Sequence, residues 1–205
     1  MSDVDRRMPQ LFALVTEALA GATEALLGGE AGVGRAIVDA DRQVDAITRE
    51  LEDAVWTEID ARPLKGAPLR HLVALLLILP ELERSADLAE HIAQRAANNL
   101  GTAMSPTSRG IVQRMSDVAL AMWTVVSDSY RDGISRAKEL TEADDEIDAL
   151  RDRLINEVAK NTMTIETASQ VALLARFYER LGDHAVNLAR RIASIPDLGG
   201  VEKLV

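Results

Sequence analysis

The stretch Ala143-Asp144-Asp145-Glu146-Ile147-Asp148-Ala149-Leu150 decides the fold, because it is written twice. Its counterpart is Ala40-Asp41-Arg42-Gln43-Val44-Asp45-Ala46-Ile47, and the agreement continues downstream. Glu179-Arg180-Leu181-Gly182-Asp183 answers Glu83-Arg84-Ser85-Ala86-Asp87, and Ala185, Ala189, Arg191 and Ala193 answer Ala89, Ala93, Arg95 and Ala97. The second block lies nearer its copy in sequence than the first block does. The difference falls where the loop Pro63 to Pro68 gives way to the shorter Asn161 to Thr164. A length change confined to a loop is how a duplicated structural unit diverges.

Working outward, every segment carries helical periodicity. Leu11, Leu14, Val15, Ala18, Leu19, Ala22 and Leu26 line one face of a first helix, which starts near Ser2 or Asp3 and ends at Gly28-Gly29. Val33, Ile37, Ala40, Val44, Ile47, Leu51, Val55 and Ile59 stripe a second, with Gly32-Val33-Gly34 read as a helix–helix turn. A third runs from about Leu69 to Asn98; it is apolar on all sides in its first half, and Pro80 is expected to kink it. Ser105-Pro106 is a cap followed by proline at the first helical position. It opens a fourth helix striped by Ile111, Met115, Val118, Ala119, Met122, Val125 and Val126. Gly133 turns into a fifth, striped from Ile134 through Val158, and a sixth ends before Pro196. The expectation is all-α: two tandem three-helix bundles of six long helices, the first repeat in 1–102 and the second in 103–205.

Composition agrees. The chain of 205 residues is 47% hydrophobic but only 3% aromatic, so its core is built from Ala, Leu, Val and Ile, as close-packed helices prefer. A formal net charge of −10, with arginines interleaved among acids, argues against nucleic acid, which requires a basic stripe. The absence of cysteine excludes disulfides, thiol catalysis and thiolate metal sites and fits the cytoplasm. The N-terminus has no apolar h-region, and the run Leu72 to Leu79 is too short to cross a bilayer, so a soluble chain without membrane insertion is expected. No Walker A loop, nucleophile elbow, His-Glu-x-x-His or Glu-x-x-His motif occurs, which points away from an enzyme.

The chemistry-bearing residues are carboxylates four apart: Asp41 with Asp45, Glu83 with Asp87, Asp144 with Asp148, and Glu179 with Asp183. Such pairs stand one above the other on a helix, about 5–6 Å apart at Cβ. Two readings stand side by side. In a chain with 33 acids the pairs are a solvated face inherited by duplication. Alternatively, two pairs on adjacent helices offer oxygen ligands to a hard cation: iron, manganese, magnesium or calcium in preference to zinc. Arg84 and Arg180 are expected to pair with acids on a neighbouring helix, and Gly182 to permit a close helix approach. His91 extends one acid line, whereas His71 and His184 read as structural. Trp56 and Trp123 read as core or dimer contacts.

These residues resemble the PhoU family, through Asp-x-x-Val-Asp-Ala-Ile, the proline-bounded loop, and Glu-Arg-x-x-Asp, across nearly the whole chain. The second copy, ending Glu179-Arg180-Leu181-Gly182-Asp183-His184-Ala185-Val186-Asn187, matches more closely. The resemblance implies a dimer of tandem three-helix bundles, without enzymatic activity. It further implies a role restraining the phosphate-starvation response and adjusting phosphate import, with the ATPase of a phosphate ABC transporter and a sensor histidine kinase as partners. It implies iron or another metal, where present, on Asp41/Asp45 with Glu83/Asp87 and on Asp144/Asp148 with Glu179/Asp183. The first half departs from the pattern at Pro80, Ser85-Ala86 and Leu88, which puts its metal site in more doubt than the second. Metal storage at the carboxylates, or service to a different transporter, are the alternatives.

Overall fold

The structure, a computed structural model, describes residues 3–160 and 162–195; the side chains of residues 3 and 39–41 lie outside that description. Seven helices and no strand are found among the described residues: α1 Asp3–Gly28, α2 Ala31–Ala61, α3 Ala67–Ala97, α4 Leu100–Ala103, α5 Pro106–Asp132, α6 Ala137–Val158 and α7 Ile165–Ala193. Six are long, as expected; α4 is a single turn that no periodicity announces. The expected cap at Ser2 and the loop position Asn161 lie outside the described residues.

The cap read from the sequence at Ser105 is visible in the backbone: its Oγ accepts from Ser108 N at 3.1 Å to cap α5. Thr164, read only as the end of a loop, accepts from Thr167 N at 3.1 Å through its Oγ1 to cap α7. Gly29 and Gly133 follow α1 and α5 with φ of +73° and +67°, left-handed values that cost glycine nothing. Two expectations change. Gly34 is not in a turn but inside α2, where a Cβ would meet Ala93 O of α3 at 2.7 Å; its lack of a side chain brings the two helices together. Ile134 belongs to no helix and is 58% exposed. α3 runs through Pro80 to Ala97, as read from the sequence.

α1, α2 and α3 pack as one set and α5, α6 and α7 as another, joined where α1 meets α5 and α3 meets α7. The hydrophobic core is a single contiguous cluster running through both sets. α1 is long and apolar enough to span a bilayer by length and composition (Val4–Gly28, mean hydropathy 1.4), which the sequence reading overlooked. Its apolar residues, from Met8 and Phe12 to Leu26, are buried against α2, α3 and α5, and that burial accounts for its composition.

The α3–α7 junction is antiparallel and polar at its centre. Ser85 Oγ lies 2.9 Å from His184 Nδ1. Buried Glu81 receives Arg191 Nη2 at 3.2 Å and Arg84 Nη2 at 3.0 Å. Arg84 thus pairs within its own helix rather than with a neighbour. At the other end, Arg95 lies over the Phe177 ring at 4.7 Å, and His91 stacks on the same ring at 5.3 Å. Arg95 and Arg191 are repeat counterparts, as are Glu81 and Phe177. The duplicated arginine therefore docks the opposite repeat both times, once on a carboxylate and once on an aromatic face. Burial holds His184 below its ordinary pKa, with Glu81 opposing, so the imidazole enters this junction as a neutral partner.

Tyr178 is fully buried, and its hydroxyl lies 2.6 Å from Thr23 Oγ1, tying α7 to α1. Tyr178→Phe removes the donor to Thr23 Oγ1, whose own hydroxyl still donates to Leu19 O at 3.0 Å, and is expected to cost about 0.5–1.5 kcal/mol in chemical denaturation. An unchanged unfolding midpoint would rule out this bond as a stabilising link.

Candidate functional site

The second carboxylate group forms where α6 and α7 come closest. Asp144 and Asp148 stand one turn apart on α6; Glu179 and Asp183 do the same on α7, with Gly182 between them. A Cβ at Gly182 would lie 2.4 Å from Asp144 Oδ1 and 3.2 Å from Ile147 Cδ1. The missing side chain is thus what admits Asp144 to the α7 surface. Asp144 is pushed up to about 6, first by burial and then by Asp183, Asp148, Asp145 and Glu179.

Glu179 itself is 8% exposed and is held by two guanidinium groups. Arg151 Nη1 lies 3.2 Å from Glu179 Oε1 and 3.4 Å from Asp148 Oδ1, while its Nη2 reaches Asp152 Oδ1 at 3.0 Å. Arg176, one turn before Glu179, donates to both of its carboxylate oxygens.

The first group is assembled by α2 and α3. Glu83 is raised by burial, then by Asp45, Asp87 and Glu52, with Arg49 opposing; Asp87 is raised by burial and Asp45, with His91 opposing. Asp45, Glu83 and Asp87 therefore share one electrostatic neighbourhood, as the duplicated pairs predict. The side chain of Asp41 lies outside the described residues. Repeat register puts Thr48 where Arg151 stands and Pro80 where Arg176 stands, and neither can supply a positive charge. Among the described residues no ion pair is made by Glu83.

The donor chemistry of both groups is hard oxygen, suited to iron, manganese or magnesium. Among the described residues, no three acidic or histidine side chains converge closely enough to hold one ion. All four acids of the second group are described, and its glutamate is already neutralised, so as arranged it does not fit a metal. Asp45, Glu83 and Asp87 of the first group keep oxygen chemistry that suits a hard cation, with Arg49 and His91 as opposing positive neighbours and no ion pair on Glu83 among the described residues. The two halves thus differ in how their glutamates are held, which the resemblance does not show.

Of the other residues singled out, His71 Nε2 lies 2.8 Å from Asp5 Oδ1, joining α3 to α1. His91 Nδ1 is buried and makes no hydrogen bond among the described residues, its ring engaged by Phe177. Trp123 is in the core, whereas Trp56 is 54% exposed and is not a core residue of this chain. Sequence reasoning missed Glu81, Arg151 and Arg176. The signal was available for the arginines, which stand three residues from Asp148 and from Glu179 on their own helices. Glu81 gives no local sign, since its partners come from the other repeat.

The raised pKa of Asp144 sets a pH dependence. The native carboxyl binds its proton more tightly than the unfolded one, so native protein holds more protons between about pH 4 and 6, and stability falls as pH rises through that window. Asp144→Asn is expected to raise the melting temperature of metal-stripped protein at pH 8 and leave it nearly unchanged at pH 4. Equal effects at both pH values would show that its charge is not the cause.

Fold and site together define a class: an all-helical tandem repeat carrying a carboxylate group at the same place in each half. The PhoU domain model matches the chain twice, over residues 8–96 and 112–192. The chain belongs to the PhoU family. It is 31% identical over 166 residues to the phosphate-specific transport system accessory protein PhoU homolog of Caulobacter vibrioides, covering 78% of this chain and 72% of that one. It is 25% identical over 192 residues to the homolog of the same name from Rhizobium meliloti, covering 91% and 81%. The crystal structure of PhoU from Pseudomonas aeruginosa superposes with a TM-score of 0.86 at 21% identity, covering 93% of each chain. That of the phosphate transport system regulatory protein PhoU from Streptococcus pneumoniae gives 0.82 at 18% identity, over 99% of this chain and 96% of that one. At these identities the two superpositions establish the fold.

Proposed function

We propose that this protein is a cytoplasmic, non-enzymatic regulator of phosphate uptake and phosphate-starvation signalling. It works by docking on the ATPase of a phosphate ABC transporter, on a sensor histidine kinase, or on both. The observation that carries this reading is the double match to the PhoU domain, together with relatives whose names place them in phosphate-specific transport systems. A net charge of −10 and the absence of a catalytic constellation support contact between proteins over catalysis or nucleic-acid binding. The active form is a homodimer.

Within this reading a divalent cation, iron or manganese before magnesium and any of these before zinc, is taken by Asp41, Asp45, Glu83 and Asp87. When bound it supplies positive charge between α2 and α3. The protein's own part is to hold Asp45, Glu83 and Asp87 in one electrostatic neighbourhood on two helices, where burial and mutual repulsion raise Glu83 and Asp87 against the opposing Arg49 and His91.

The test is co-sedimentation of the purified protein with membranes carrying the phosphate transporter, compared with membranes lacking its ATPase subunit. Binding that depends on the ATPase is expected. Equal binding to both, together with no capture by the kinase's cytoplasmic region, removes the partner assignment. Retention by membranes carrying an unrelated transporter would instead mark an accessory of that system.

A further inference from the structure

We propose that in the second repeat Arg151 and Arg176 occupy the place of a metal ion, acting as a built-in counter-ion that closes the α6–α7 carboxylate group to cations. The inference stands on geometry and on the comparison of one repeat with the other. It does not require the cation proposed for the first repeat to exist.

Glu179 is nearly closed to solvent. Burying a carboxylate is costly unless a partner neutralises it. Two guanidinium groups do so, both reaching its Oε1. Arg176 comes from the preceding turn of α7 and engages both carboxylate oxygens. Arg151 comes from α6 and spans Glu179 at 3.2 Å, Asp148 at 3.4 Å and Asp152 at 3.0 Å. With both in place, the oxygens of Glu179 that would face an incoming ion are already receiving hydrogen bonds. Two positive charges also stand within hydrogen-bond distance of those oxygens and repel an incoming cation.

The other half of the chain provides an internal comparison. Asp45, Glu83 and Asp87 are kept there, but Thr48 and Pro80 replace the two arginines. No guanidinium can reach Glu83 from those positions, and proline at the second of them forbids a donor side chain altogether. Duplication gave both halves the same acids, yet only in the second is the glutamate gripped by direct guanidinium contacts; Arg49 acts on Glu83 without an ion pair among the described residues. Arginine suits this task, since it stays charged at all relevant pH values and forks onto carboxylate oxygens. The consequence is a second half whose acid group is closed to cations whether or not the first half takes one.

The experiment isolates the second group by removing the first with Asp45→Asn and Glu83→Gln. Manganese(II) chloride is then titrated into the metal-stripped protein, bound ion being measured by equilibrium dialysis and folding by circular dichroism. With Arg151 and Arg176 intact, no saturable binding is expected at micromolar manganese. Adding Arg176→Gln, an exposed position whose loss leaves Arg151 to keep the helices together, is expected to raise affinity about tenfold or more. That is the scale for removing one like charge from a partly exposed site. Adding Arg151→Gln raises it further. Saturable binding with both arginines present, abolished by Glu179→Gln, overturns the proposal. So does a folded Arg176→Gln/Arg151→Gln protein that still binds nothing.

Discussion

Trp123→Ala is expected to destabilise the chain by about 3–5 kcal/mol and lower its melting temperature by about 10 °C or more. Trp123 is fully buried on α5, in a core with few aromatics, so no neighbour of similar size can collapse into the space it leaves. Its indole Nε1 also donates to Leu181 O at 3.3 Å, which ties α5 to the stretch of α7 carrying Glu179, Gly182 and Asp183. The substitution removes both the apolar volume and the donor. Trp123→Phe separates them, keeping most of the volume while leaving the Leu181 carbonyl only its bond within α7, and is expected to cost about 0.5–1.5 kcal/mol. Urea unfolding followed by circular dichroism decides the matter. A loss below about 1 kcal/mol for the alanine variant would show that Trp123 does not anchor the second repeat.

The second large effect is expected at Gly101, in the single turn α4. A Cβ placed there would lie 1.7 Å from Leu26 O and 2.9 Å from Leu26 C. These are backbone atoms at the end of α1, and unlike a side chain they cannot swing aside. Gly101→Ala therefore has to lift α4 off α1, and with it Arg109, which reaches from α5 to the carbonyl oxygens of Leu27 and Gly101. That arginine stitches the end of the first repeat to the start of the second. The expected cost is about 2–4 kcal/mol, the upper range for overpacking because relief requires backbone movement. Gly110→Ala is the control. It lies in α5 with no atom near the new Cβ, and it is expected to stabilise by up to about 1 kcal/mol through helix propensity. If both glycine substitutions behave alike, the close approach of α4 to α1 does not hold in solution.

Much of the fold was legible because helices announce themselves locally. The cap at Ser105 and the left-handed glycines at 29 and 133 follow from side-chain and backbone chemistry within a few residues. Gly34 was misread for the same reason: two glycines near a chain reversal look like a turn, and only the position of α3 shows that the second makes room for another backbone. α4 escaped notice because a four-residue helix has no period to detect. The membrane-length apolar helix α1 shows the same limit, since its pattern is explained by three neighbours that the sequence does not place.

The candidate site divides in the same way. The eight carboxylates Asp41, Asp45, Glu83, Asp87, Asp144, Asp148, Glu179 and Asp183 were found by spacing and duplication, and the described ones do gather between adjacent helices. Their state was not legible. Resemblance ranked the second group first because its letters are nearer the family pattern. Packing of α6 on α7 adds what the letters did not show: Glu179 is held by Arg151 across the two helices as well as by Arg176 on its own.

The sequence by itself determined the helices, the duplication, the family and the identity of the acids, since all of these depend on neighbours along the chain. Tertiary structure decided how the halves join, through Glu81, Ser85 and Phe177 facing Arg191, His184 and Arg95. It also decided that Arg151 of α6 reaches Glu179 of α7. The physical reason is range. Periodicity and capping act over a turn or two of one helix, whereas burial and ion pairing depend on which distant residue the fold brings within a few ångströms.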